Sequence, residues 1–92
     1  MSVLFRIPGP LQELAGDRDQ VRVETAPSVS GALTNLWSSC PGVRDRVVNE
    51  LGELRPHVNI FVDGENLRDI GGLAAPLQDG AEIFILPAIS GG

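Results

Sequence analysis

The hydrophobic pattern near the start of the chain has a period of two. The segment VLFRI places Val3, Phe5 and Ile7 on one side, and QVRVET places Val21 and Val23 on one side. Such alternation is typical of a strand with one buried face. A turn over GDRD separates the two segments, so the pattern predicts two neighbouring strands that pair as a hairpin.

After Pro27 the period changes to that of a helix. Ser28 is a suitable N-cap, and apolar residues then recur three to four positions apart, which favours one face of a helix of about three turns. These residues are Val29, Ala32, Leu33, Leu36, Trp37 and Cys40. The PG pair at 41–42 ends this helix. The segment VRDRVVNEL then suggests a second, shorter helical piece with an apolar face of Val43, Val47 and Leu51.

The period of two returns in the second half of the chain. In HVNIFVDGENL the residues Val58, Ile60 and Val62 point one way and Phe61 points the other, and DG at 63–64 is a strong turn signal. Leu67 follows in a short strand or extended piece. A last strand, EIFILP, is apolar on both faces, as expected of a central strand with an apolar outer face.

The order of elements is strand, strand, helix, strand, short strand, strand. This order predicts an α+β fold with a mixed sheet and one main helix packed across one face. The last strand covers Glu82–Pro87, with Ile83 and Ile85 on the core side and Phe84 and Leu86 on the outer side.

Composition narrows the class of protein. The 92 residues, 42% hydrophobic and 21% charged, suit one soluble domain, and no apolar stretch approaches the roughly 20 residues of a membrane-spanning helix. The first residues lack the features of a secretory signal, so we expect a cytoplasmic protein. A net charge of −5 argues against nucleic acid as a partner and favours proteins with basic surfaces.

The residue types offer no conventional active site. Cys40 and His57 are the single cysteine and histidine, so no Cys/His cluster exists for a structural zinc site, and we expect no bound metal. Cys40 fits a small core residue better than a nucleophile, and His57 fits a solvated strand residue. GG at 71–72 lacks the lysine of a phosphate-binding loop and predicts a turn.

The final glycines are the strongest candidate for chemistry. A terminal GG pair would arise by chance in roughly 0.5% of chains at average glycine usage, and in about 1.4% at the glycine content of this chain. Gly92 would carry a carboxylate on a carbon without a side chain, which an enzyme or electrophile can reach. Gly91 would let the backbone thread a narrow channel. Ala88, Ile89 and Ser90 would form an arm between the strand and this end.

The chain resembles the MoaD/ThiS group of sulfur-carrier proteins, which have the ubiquitin-like β-grasp fold. The resemblance covers essentially the whole chain and is most specific from Val58 to Gly92, in VNIFVDGENLRDIGGLAAPLQDGAEIFILPAISGG. Within the group, VNI, GGLA and ILPA before GG look most like the carriers that serve cysteine biosynthesis. The small subunit of molybdopterin synthase is the nearest competitor. The resemblance implies a β-grasp domain over 1–87 and a flexible reactive tail over 88–92.

The resemblance also implies that the chain is a substrate of partner enzymes and not itself an enzyme. An ATP-dependent activating enzyme would adenylate Gly92, and a sulfur donor would convert it to a thiocarboxylate. The acceptor would be a cysteine synthase that holds pyridoxal phosphate, or the large subunit of molybdopterin synthase. Leu86 matches an apolar contact position for such partners, and Leu67 matches another. The period of two adds Phe61 and Phe84 to this partner-binding surface.

Two other functions remain open. A ubiquitin-like modifier would join Gly92 to lysines of target proteins and would use the same activation chemistry. A plain binding module would carry its glycines as a frayed end.

Overall fold

Five strands form one mixed sheet in the computed structural model, which describes residues 1–87. The strands are β1 (Ser2–Arg6), β2 (Gln20–Glu24), β3 (Val58–Val62), β4 (Glu65–Asn66) and β5 (Glu82–Pro87). The helices are α1 (Gly9–Gln12), α2 (Val29–Ser39) and α3 (Pro41–Val47). The predicted arm and flexible tail over 88–92 lie outside the described residues.

β5 is the central strand, in the order β2-β1-β5-β3-β4. It pairs parallel with β1, where Leu4 lies beside Glu82, and antiparallel with β3. β1 and β2 pair antiparallel, as predicted, and so do β3 and β4. The parallel central pair flanked by antiparallel neighbours, with a helix across one face, confirms the expected β-grasp arrangement.

The core lies between the sheet and α2. The alternating residues of the strands point into it as the sequence predicts, and so does the apolar face of α2. The residues with no exposed surface include Val3, Phe5, Val29, Ala32, Leu36, Val58, Ile60, Ile83 and Ile85. Cys40 is only 2% exposed, which confirms its expected place in the core. Within residues 1–87, no helix is long and apolar enough to cross a membrane.

The ends of α2 follow its sequence signals. The Ser28 hydroxyl accepts a hydrogen bond from the backbone N–H of Gly31 at 3.3 Å, which caps the first turn. Pro41 ends α2 and also begins α3, because a first-turn residue needs no N–H donor. The second helical piece is therefore confirmed, although it starts at Pro41.

The predicted apolar face of this piece is wrong at Leu51. α3 ends at Val47, and Val48 is already extended. The side-chain oxygen of Asn49 then accepts hydrogen bonds from the N–H groups of Leu51 and Glu53, which forms a turn in place of another helical turn. Leu51 is consequently 82% exposed.

A second difference is the helical segment after β1. The sequence pattern predicts no helix between the first two strands, yet Gly9–Gln12 is helical and continues as a 3₁₀ turn over Glu13–Ala15. Pro10 lies in the first turn, where proline is tolerated, and Leu11 and Ala15 are buried. Burial of these two side chains stabilises a segment that is too short to be helical by itself.

The β3–β4 turn connects the hairpin to β5. Asp63 and Gly64 have φ angles of 49° and 88°, both in the left-handed region that a tight hairpin turn of the I′ type requires. The Asp63 N–H donates to the Glu82 carbonyl at 2.9 Å, and the Asp63 carboxylate accepts from the Glu82 N–H at 2.9 Å. These two bonds attach the turn to the first residue of β5.

Gly64→Ala should lower the free energy of unfolding by about 1–2 kcal/mol, because a Cβ is strained at this positive φ. Gly9→Ala is the matched control. Neither site has any atom within 4 Å of the added Cβ, and only Gly64 has a left-handed backbone. Gly9→Ala should be neutral or raise stability by up to about 1 kcal/mol. Urea unfolding of both variants measures the difference, and equal changes would contradict the backbone explanation.

Candidate functional site

An exposed apolar patch lies on the face of the sheet opposite α2. It consists of Phe61, Phe84 and Leu86, which we call the outer patch. Phe84 is 39% exposed and Leu86 is 44% exposed, although both belong to the central strand. Phe61 is half-buried. Exposure of two large apolar side chains at the centre of a sheet is a feature of binding surfaces.

The register makes the outer patch continuous across two strands. Phe84 lies directly opposite Phe61, and Leu86 lies opposite Asn59. Directly opposite side chains of antiparallel strands have Cβ atoms about 4.5–5.5 Å apart, so the two phenylalanines pack as a cross-strand pair. On its other side Phe84 has Arg6 of β1 as its neighbour.

A charged pair borders the outer patch on the β1 side. The Arg6 Nε atom lies 3.4 Å from a carboxylate oxygen of Glu82, and the two side chains are 41% and 38% exposed. An ion pair this exposed to solvent contributes little to stability. The pair therefore supplies polar groups at the rim of the patch.

A second guanidinium borders the patch on the β3 side. Arg68 donates from Nη1 to the side-chain oxygen of Asn59 at 2.8 Å, and from Nη2 to the carbonyl oxygens of Arg55 at 3.1 Å and Pro56 at 3.4 Å. Three acceptors fix the orientation of this side chain, which a lysine could not reproduce. Arg68 thus holds a positive charge beside Asn59, the neighbour of Leu86.

The pairing of β1 with β5 stops before β5 ends. The register runs from Leu4 to Arg6, and the Ile7 N–H then donates to the Asp19 carbonyl, away from β5. A depression of about 320 Å³ lies at this point, and it is lined by Arg6, Ile7, Pro8, Asp19, Phe84, Ile85 and Leu86. On the opposite edge β3 continues to pair with β5 up to Pro87. The last described residues therefore lie between a paired edge and an open one, next to the outer patch.

The structure contradicts the predicted partner contact of Leu67. Leu67 is not in a strand but begins a 3₁₀ turn, in which the Asn66 side-chain oxygen accepts the Arg68 N–H at 3.0 Å. This turn directs Leu67 inward, where none of its surface is exposed. Its side chain packs in the core and cannot contact a partner.

The remaining candidates behave as structural residues. His57 is exposed just before β3, and the GG pair at 71–72 is part of a turn, as predicted. Over residues 1–87 no cluster of His, Cys, Asp or Glu side chains could hold a metal ion. Gly91 and Gly92 lie outside the described residues, so their predicted roles stay predictions. The structure brings together Phe61, Phe84 and Leu86, all three on the outer face.

The sequence pattern did not predict the positions of Arg68 and of the Arg6–Glu82 pair at the edge of the outer patch. Arg68 follows the Asp-Gly turn in a loop, and its acceptors lie 9 to 13 residues earlier in the chain. A hydrogen-bond network across that separation leaves no periodic signal. The outward position of Asn59 was visible from the alternation, but its partner was not.

Comparison with known proteins identifies a family and full-length relatives. The ThiS family model matches residues 5–92. The sulfur carrier protein CysO of Mycobacterium tuberculosis strain H37Rv is 32% identical over 94 aligned residues, with 100% of both chains covered.

Solved structures agree in fold over the same length. A chain in the crystal structure of the Amycolatopsis orientalis BexX/CysO complex is 33% identical with a TM-score of 0.89, covering 98% of this chain and 99% of that one. The crystal structure of SAMP1 from Haloferax volcanii is 31% identical with a TM-score of 0.86, covering 100% of both chains.

Two leucine-to-alanine variants test the assignment of inner and outer residues. Leu67→Ala should lower the free energy of unfolding by about 2–5 kcal/mol, because it leaves a cavity in the core. Leu86→Ala should cost no more than about 1 kcal/mol, because much of that side chain already meets water. Chemical denaturation measures the change in unfolding free energy of both variants, provided that the slope of this free energy against denaturant concentration equals that of the native protein. A larger loss for Leu86→Ala than for Leu67→Ala would contradict the assignment.

Proposed function

Because the chain belongs to the ThiS family, we propose that it is a sulfur carrier whose Gly92 carboxylate is adenylated and converted to a thiocarboxylate. The thiocarboxylate then donates its sulfur for cysteine biosynthesis. In this role the chain is a substrate of larger enzymes in the cytoplasm.

The observation that supports this proposal is the position of the outer patch on the strand that leads to the glycine end. Phe84 and Leu86 are exposed on β5, and Pro87 is the last residue of that strand. Five residues follow Pro87 and span at most about 17 Å when extended. An enzyme that covers the outer patch therefore receives the Gly92 carboxylate within that distance of its docking surface.

Activation of the carboxylate requires two displacements. First, a carboxylate oxygen of Gly92 attacks the α-phosphorus of ATP in the activating enzyme, and pyrophosphate leaves. Second, sulfide attacks the carbonyl carbon, and AMP leaves with the electron pair of the broken C–O bond. The product is the thiocarboxylate. The absence of side chains at Gly91 and Gly92 lets the end enter a narrow channel for both steps.

The proposed acceptor is an aminoacrylate held on pyridoxal phosphate in a cysteine synthase. The thiocarboxylate sulfur adds to the aminoacrylate carbon, and transfer of the acyl group to nitrogen links cysteine to Gly92 by an amide. A protease then hydrolyses this amide and frees cysteine. The full-length similarity to a protein named CysO, at 32% identity, supports this acceptor over the large subunit of molybdopterin synthase.

A ubiquitin-like modifier is the second candidate function. The similarity to SAMP1 of Haloferax volcanii, with 31% identity over the whole chain, supports this second function. A relative named small archaeal modifier protein 3, from the same organism, is 28% identical over the full length. In this role Gly92 would form isopeptide bonds with lysines of other proteins.

Intact mass spectrometry tests the carrier function directly. The chain is incubated with ATP, sulfide and the activating enzyme of its host. We expect the mass to increase by the difference between one sulfur and one oxygen atom. A variant with one alanine added after Gly92 should fold normally, because Ile83, Ile85 and the α2 face hold the core, and its mass should not change.

Two results would contradict the proposal. One is an unchanged mass of the native chain while the same enzyme loads an established carrier of the family. The other is normal loading of the extended variant. Isopeptide-linked conjugates in cells would favour the modifier. The two acceptors are distinguished by adding a cysteine synthase and a protease to the loaded chain. Free cysteine that requires both enzymes would support the cysteine synthase as acceptor over the large subunit of molybdopterin synthase.

Truncation of the outer patch should slow loading without unfolding the protein. The double variant Phe84→Ala with Leu86→Ala should reduce the loading rate at limiting carrier concentration by about tenfold or more, because buried apolar anchors dominate docking energies. Leu51→Ala is the matched control, since Leu51 is 82% exposed and lies outside the outer patch. It should load at the native rate, and equal loss in both variants would disprove docking through the patch.

A further inference from the structure

All seven cationic side chains of the protein are arginines, and the sequence contains no lysine. They are Arg6, Arg18, Arg22, Arg44, Arg46, Arg55 and Arg68. A guanidinium keeps its proton at any physiological pH and does not accept acyl groups. A lysine amine, with an ordinary pKa of about 10.4, has a reactive neutral fraction. No side chain of this protein therefore offers a primary amine to an activated carboxyl group.

The second common acyl acceptor, a thiol, is present once and is buried. Cys40 is 2% exposed at the junction of α2 and α3. Its sulfur accepts a hydrogen bond from Nη2 of Arg18 at 3.1 Å, and Nε of the same arginine donates to the Ala15 carbonyl at 2.7 Å. Arg18 is thus held against the sulfur. The other copies of the chain cannot reach this thiol without local unfolding.

We propose that these two features together prevent the activated carrier from acylating the side chains of other copies of the chain. The reaction that they exclude is attack of a side-chain amine or thiol on the Gly92 carbonyl carbon of another copy. In that reaction the bond to AMP or to a thiol would break, the leaving group would keep the electron pair, and the nucleophile would release its proton to solvent. The biological relevance of the inference rests on the proposed function, because only an activated Gly92 needs such protection.

Hydrogen bonds that require a guanidinium explain why some of these positions, but not all, are arginine and not lysine. Arg55 and Arg68 donate to backbone carbonyl oxygens with groups that lysine cannot place in the same way. The Arg46 side chain is exposed on α3, and its guanidinium makes no hydrogen bond or ion pair with any residue in the described part of the chain. A lysine would fit there without structural cost. One conservative substitution at Arg46 therefore introduces an amine and changes little else.

The register of the sheet also separates an α-amine at Met1 from the glycine end of the same molecule. β1 and β5 are parallel, with Leu4 beside Glu82, so Met1 lies at one end of the sheet and Pro87 at the other. Met1 lies three residues before Leu4, and Pro87 lies five residues after Glu82. The two residues are therefore separated by eight residues along the strand direction, which is about 26 Å at a rise of about 3.3 Å per residue. The five residues after Pro87 reach at most about 17 Å, so this geometry excludes cyclisation.

The experiment uses the full chain with an acetylated N-terminus and a thiophenol thioester at Gly92. Acetylation removes the α-amine, so that only side chains can react. The native sequence and Arg46→Lys are incubated at pH of about 9, where a lysine amine begins to lose its proton. Denaturing gels and intact mass spectrometry follow covalent dimers and hydrolysis. A small free amine, ethanolamine, serves as the probe that the thioester still reacts with amines.

We expect the native thioester to hydrolyse without forming dimers and Arg46→Lys to form at least about tenfold more amide-linked dimer. Dimers of the native chain at the level of the variant would overturn the inference. So would an absence of dimers in both chains while ethanolamine is acylated, because an added lysine would then make no difference. Since the thioester is synthetic, these outcomes do not depend on whether the host enzyme loads Gly92.

A second variant tests the protection of the thiol. Ser39→Cys places an exposed thiol at the last residue of α2 and leaves Cys40 in place. This variant should exchange with the thioester and form thioester-linked dimers, which hydroxylamine cleaves, whereas the native chain should not. Equal exchange in the native chain would show that Cys40 is accessible and would overturn this part of the proposal.

Discussion

The structure depends on the two-faced character of the central strand β5. Ile83 and Ile85 have no exposed surface and connect the sheet to α2, whereas Phe84 and Leu86 on the same strand remain exposed. The strand is paired on both sides near its start and only with β3 near its end. One segment of six residues therefore completes the core, presents the outer patch and leads to the final five residues.

The sequence predicted those parts of the fold in which one face of an element is buried. Alternation located β1, β2, β3 and β5, and the apolar face of α2 followed its period, because burial imposes a repeat that can be read along the chain. The outward positions of Phe61, Phe84 and Leu86 follow from the same repeat. The terminal GG pair drew attention to Gly91 and Gly92 from the sequence itself, and the family resemblance added an expected role for them; both residues lie outside the described part of the chain.

The parts that were not predicted are short segments in which a local turn or tertiary burial replaces the hydrophobic repeat. Leu67 points inward because Asn66 caps a 3₁₀ turn, and Leu51 points outward because Asn49 forms a turn after α3. The helical turn after β1 is stabilised by burial of Leu11. In the first two cases an asparagine side chain bonds to backbone N–H groups two to four residues later, and in the third a buried leucine stabilises the segment, so the hydrophobic repeat does not specify the result.

The parallel register of β1 and β5 has a consequence for how this protein can be handled. A fusion partner, affinity tag or surface linker attached at Met1 joins the molecule at the end of the sheet opposite Pro87. Immobilisation through that point leaves the outer patch and the end of β5 facing away from the support. The fold thus allows the outer patch and the end of β5 to be displayed in a defined orientation, without any engineering of the domain itself.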